Sequence, residues 1–211
     1  MQLSHFLFCA SVLAGSATAS FAEAPTVYGK KNVFARVEAV TLTSAQKSHY
    51  RNFRREDAYF GAFYVTSSGD GSYYTYGYHD LSLAKAIAKR GCEAIHQGPC
   101  TFFAVAVPEG VDPNATQASG LGAVSALDYN GIYRDRQTTD GYGAFAVSGS
   151  AHHGYSFDWP NAAEARAAAI AFCEVEVAKA LTEVRIIDRE WAKSNGLTTC
   201  RIIDSYAPAG G

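Results

Sequence analysis

Gly61-Ala62-Phe63 returns as Gly143-Ala144-Phe145 about 80 residues later, and its surroundings return with it. Upstream, Tyr50, Phe53, Arg54 and Tyr59 resemble Tyr129, Tyr133, Arg134 and Tyr142. Downstream, the ladder Tyr74, Tyr76, Tyr78 returns as Tyr155, Phe157, Trp159. An Ala-rich segment follows in each copy and carries Cys92 or Cys173; a β-branched run opened by Cys100 or Cys200 comes next. A period this long marks one supersecondary unit used twice. It constrains the fold strongly and the function weakly.

The unit reads as hairpin, helix, strand. Tyr59 to Thr66 alternates and is rich in aromatic and β-branched residues, Ser67 to Ser72 is turn chemistry, and Tyr73 to Tyr78 returns. Asp80 or Ser82 caps a helix to about His96, whose stripe is Ala84, Ile87, Ala88, Gly91, Cys92 and Ile95. Thr101 to Val107 is apolar on both faces, so both faces must be covered. The cover is the other copy, or the preceding helix that starts at Thr43 or Ser44 and carries Tyr50 and Phe53.

The second copy follows suit. A short helix spans about Val124 to Arg134, then a hairpin runs from Gly143 to Trp159 with its tip at 149–154. Asn161 with Glu164 three residues on resembles a capping box before the long helix. Two segments compete for the closing strand, Val184 to Asp188 and Cys200 to Asp204; Cys200 sits where Cys100 does and favours the second. Ahead of both copies, Phe34 to Leu42 reads as a strand. The expected fold is α+β: two similar ββαβ units, each a small antiparallel sheet with a helix on one face, disulfide-stapled and joined in one body.

Residues 1–22 hold no Asp, Glu, Lys or Arg, and Phe6 to Gly15 is an apolar core too short to span a bilayer. With Ser20-Phe21-Ala22 as a small-x-small site, 1–22 reads as a signal peptide, leaving 23–110 and 111–211 as the two repeats. The expected location is periplasmic or secreted. Export turns the four remaining cysteines into disulfide partners. Each copy has one cysteine late in its helix and one at its next strand, which selects Cys92–Cys100 and Cys173–Cys200. No Cys-x-x-Cys pair exists, which argues against a zinc site.

A net charge of −2 with scattered Lys and Arg offers no footprint for nucleic acid or anionic lipid, and no later stretch reads as a membrane span. Phosphate-loop, dinucleotide, zincin and nucleophile-elbow motifs are all absent, which leans against an enzyme without excluding one, and no cofactor is expected. Two candidate sites stand out. His152-His153 at the second hairpin tip could supply a base or metal ligand, although adjacent residues point apart and a polar exposed turn is the better account of them. The ladders Tyr74, Tyr76, Tyr78 and Tyr155, Phe157, Trp159 each occupy alternate positions, so each trio should line one face. Exposed, they would stack on sugars; buried, they would pack beneath a helix.

The unit Gly-Ala-Phe, hairpin, Ala-rich helix with Cys92, then Cys100 and a β-branched strand resembles an exported bacterial domain, the domain of unknown function 4189 type. Gly143-Ala144-Phe145, Ala165 to Cys173 and Cys200 carry the same resemblance. The tandem arrangement is similar to small exported alphaproteobacterial proteins, some labelled 5-aminolevulinate synthase. That activity needs a lysine Schiff base with pyridoxal phosphate on a far larger scaffold. The leading expectation is therefore a non-catalytic envelope protein, binding or structural, whose partner is an envelope glycan such as peptidoglycan or another exported protein. The alternatives are a small hydrolase or lyase using a His, and an inhibitor presenting a hairpin tip.

Overall fold

The computed structural model describes residues 25–36, 40–56, 58–67, 69–137, 140–183 and 189–208. The expected leader, 1–22, and the rival closing strand, 184–188, lie outside them. Strands β2 (Gly61–Thr66) and β3 (Ser72–Thr75) form the first hairpin, followed by helix α2 (Leu81–His96) and strand β4 (Cys100–Pro108). Strands β5 (Tyr142–Ser148) and β6 (His153–Trp159) form the second, followed by α4 (Ala162–Glu183), α5 (Arg189–Ser194) and β7 (Cys200–Tyr206). Each closing strand lies antiparallel beside the first strand of its hairpin, in the orders β4-β2-β3 and β7-β5-β6. The molecule is α+β, with two antiparallel sheets, and the closing strand is the one opened by Cys200.

The helices sit on their sheets through small residues at the same helical positions. In α2 the buried stripe includes Ala84, Ala88 and Cys92; in α4, Ala165, Ala169 and Cys173 are fully buried. Small side chains let the helix axis approach the sheet closely. Disulfides Cys92–Cys100 and Cys173–Cys200 then pin each helix to the start of the closing strand. Entry to the helix is fixed twice over. Thr75 donates its hydroxyl to the Ala84 carbonyl at 2.9 Å, and Ser156 does the same to Ala165 at 2.7 Å. Asp80 caps α2 by accepting from the Leu83 amide, and Asn161 caps α4 by accepting from the Glu164 amide.

The opposite sheet faces are covered by short helices. Helix α1 (Ser44–Phe53), opened by a Thr43–Gln46 capping box, lays Tyr50 and Phe53 against Phe63 and Phe103. Helix α3 (Ala123–Asp128) runs into a π-helical turn (Tyr129–Tyr133), whose tyrosines stack edge-on to Phe145. The preceding helix, rather than the other half, is thus the cover in both sheets.

The first sheet has a fourth strand. Strand β1 (Asn32–Arg36) pairs with the end of β4, from Ala104 to Pro108. It is shorter and earlier than the expected Phe34 to Leu42; Leu42 instead joins the core ahead of α1. The edge it covers is Ala104-Val105-Ala106-Val107, fully apolar, whereas the matching stretch of β7 is Asp204-Ser205-Tyr206. Polar side chains leave that edge compatible with water, so no fourth strand is required there. The halves meet through main-chain bonds: Leu81 donates to Ala118, Gly120 to His79 and Leu121 to Thr26. Arg90 of α2 also lies over the Trp191 ring of α5 at 4.8 Å.

Candidate functional site

A cleft of about 730 Å³ opens where β6, α3 and α4 converge with the residues just past β3. Its apolar wall is unusual for a protein surface. Tyr76, Val124, Phe172 and Val175 all line it and are between 46% and 60% exposed. Apolar side chains clustered at the mouth of a cleft make it the candidate site.

The polar part grows from β6. His153, its first residue, stacks parallel to Phe145 at 5.3 Å and to Tyr155 at 6.2 Å. That clamp sets the ring plane, and α3 supplies partners to both nitrogens. Ser125 Oγ lies 2.9 Å from Nδ1, and Asp128 Oδ2 lies 2.9 Å from Nε2. Ser125 and Asp128 are three apart on one helix, hence on one face. With a neutral ring, Ser125 donates to Nδ1 and Nε2–H donates to the carboxylate. Burial runs opposite to what a nucleophile needs: Ser125 is 1% exposed, while the Asp128 side chain is 35% exposed. The group offered to the cleft is therefore the carboxylate, held by the imidazole.

The aromatic trios do not each keep to one face. Tyr74 packs beneath α1, stacked on Phe63 at 6.0 Å, and Tyr155 packs with Phe145 on the α3 side. Tyr78 turns instead towards α2, against Ile87 and Leu197, and Trp159 joins the alanines under α4. The cause is local. Gly77 and Asp158, just before each third residue, are left-handed with φ of 78° and 62°, which resets the strand alternation. Tyr76 and Phe157, the middle members, remain in the cleft wall. Arg136 covers the Phe157 ring at 5.0 Å.

The hairpin tips are tied down. Gln46 Nε2 donates to the carbonyls of Thr66, Gly69 and Gly71. A Cβ on Gly149 would meet the Gly196 carbonyl at 2.7 Å. His152 lines the cleft beside His153 rather than projecting from the tip.

Behind the cleft, buried His79 accepts a 2.8 Å hydrogen bond from the Gly122 amide at Nδ1. Its Nε2 is buried without a hydrogen-bond partner among the described residues, near the His152 carbonyl, which favours protonation. Burial, then the neighbouring His153, Arg201 and His152 charges, lower its pKa to about 4. It is neutral at ordinary pH.

Among the described residues no group of three or more His, Cys, Asp or Glu could hold a metal ion. No described helix is long and apolar enough to cross a membrane. Comparison with protein families, curated proteins and solved structures finds no match to the chain.

Proposed function

We propose that this chain is an exported envelope protein, built from two copies of one hairpin–helix–strand unit, that binds a glycan in the β6–α3 cleft. The observation that carries the reading is a partly exposed carboxylate, Asp128, held by His153 in a cleft that the exposed rings of Tyr76 and Phe172 also line. Sugars are recognised by this combination: ring faces take the apolar face of the pyranose, and a carboxylate accepts from its hydroxyls. The disulfides fit an oxidising compartment, and the resemblance to the exported domain of unknown function 4189 type supports the same location.

The Ser125–His153–Asp128 chain favours a second reading, acid–base hydrolysis. Both ring nitrogens are engaged and the hydroxyl is buried, so binding is the better account.

Calorimetric titration with chitin tetramer and with soluble muropeptides tests it. Saturable binding to either, weakened about tenfold or more by Asp128→Asn, supports the proposal. No binding to either glycan sinks it, and shortened products in the mass spectrum promote the hydrolase.

A further inference from the structure

A second cavity, about 550 Å³, opens on the other side of α3. The helix divides the two: Val124 and Asp128 face the glycan cleft, while Ala123, Ala126 and Leu127 face this slot. Opposite them stand Tyr28 and Tyr59, whose rings meet edge to face at 5.9 Å. Both hydroxyls are committed elsewhere, Tyr28 to the Ser119 carbonyl at 3.0 Å and Tyr59 to the Tyr28 carbonyl at 3.4 Å. Tyr28 offers the slot ring surface, and the buried Tyr59 ring backs it from behind. Leu127 is 58% exposed in it, a large apolar side chain left facing water.

The polar lining has one sign. Lys30 and Asn130 stand exposed at the slot, and neither has a hydrogen bond or ion pair among the described residues. No carboxylate lines it among the described residues. An apolar body with an anionic head complements such walls: burying the body releases water, and the ammonium meets the head as a point charge. We propose that this slot binds a small amphipathic carboxylate, its body against Tyr28 and Leu127 and its head at Lys30.

Gly131 supplies a clean test. It lines the slot, and a Cβ added there would meet nothing within 4 Å. Open space around that Cβ gives a larger side chain room without disturbing the packing, so Gly131→Leu adds apolar bulk at the slot lining while keeping the fold. The experiment is amide NMR of the oxidised full chain titrated with benzoate, hexanoate, benzyl alcohol and hexylamine. The expected result is saturable shifts at Gly29, Lys30 and Gly131 with a carboxylate. Lys30→Gln should weaken them about tenfold, and Gly131→Leu should abolish them at unchanged melting temperature. A tighter fit of benzoate than hexanoate, or the reverse, identifies the body as aromatic or aliphatic. Benzyl alcohol or hexylamine binding as tightly as the acids overturns the proposal. So do binding that survives Gly131→Leu, shifts confined to the glycan cleft, and no shift up to about 20 mM ligand.

Discussion

The Tyr73 ring lies across Gly91 so closely that a Cβ on Gly91 would come within 2.4 Å of Tyr73 Cε1. In the second half the sizes are exchanged between strand and helix. Gly154 takes the strand position and Phe172 the helix position, and a Cβ on Gly154 would meet the Cys173 amide nitrogen at 2.3 Å. In the first half a strand side chain covers the helix. In the second, the helix presses on bare strand, and Phe172 is left free to wall a cleft.

The two glycines should therefore respond differently to alanine. At Gly154 the obstacles are main-chain atoms of Cys173 and Ala169, which a disulfide and a helix hold in place. Gly154→Ala should cost about 3 kcal/mol or more, since the whole helix must lift. At Gly91 the obstacle is the half-exposed Tyr73 ring, which can swing outward, and alanine gains about 1 kcal/mol of helix propensity. Gly91→Ala should stay within about 1 kcal/mol of the parent. Urea unfolding of both variants measures the gap, and equal losses would contradict it.

Much of the architecture was legible because it rests on short-range pattern. Hairpin alternation, the alanine stripe and cysteine placement all recur in sequence and all have direct structural causes. The ladders were misread for a reason just as local: one left-handed residue reverses every later side chain. Gly77 advertises such a conformation by its identity, but Asp158 carries no such mark. The cleft was harder still. Ser125 and Asp128 matter only because α3 comes to rest on β6, against a histidine 28 and 25 residues away. Nothing in their spacing reveals that contact.

The disulfides should differ in worth. Cys92–Cys100 spans 8 residues and Cys173–Cys200 spans 27. Loop entropy assigns them about 2.5 and about 3.5 kcal/mol, because the longer loop has more unfolded freedom to lose. Replacing Cys173 and Cys200 together by alanine should lower the urea midpoint more than replacing Cys92 and Cys100. The reverse order would locate the stabilisation in native packing instead.

Acid should weaken the fold through His79. Its pKa falls from 6.5 to about 4 on folding because burial opposes the charge. Above pH 6.5 both states hold the neutral ring and the group is silent. Between 6.5 and 4 the unfolded chain binds a proton that the native one refuses, so stability falls as pH falls. Below about 4 both are protonated and the loss levels off, having reached about 3 kcal/mol. Urea midpoints at pH 7 and pH 4.5 measure the drop. His79→Gln should flatten the profile over that window even if it starts lower, and an unchanged slope in the variant would assign the acid loss to other groups.

Ser125 and Asp128 touch the same imidazole, yet their removal should be felt in different quantities. Ser125 is buried, and Ser125→Ala leaves His153 Nδ1 without its hydroxyl partner. That should cost about 1–2 kcal/mol of stability. The carboxylate still meets Nε2, so glycan affinity should change less than about threefold. Asp128 is partly exposed, and an amide keeps its size and its contact with the ring. Asp128→Asn should leave the urea midpoint within about 0.5 kcal/mol of the parent and weaken glycan binding about tenfold. The split follows from burial alone: the inner partner holds the ring and the outer partner meets the ligand. A Ser125→Ala variant that stays stable but loses its ligand would reverse those assignments and place the hydroxyl, not the carboxylate, at the bound sugar.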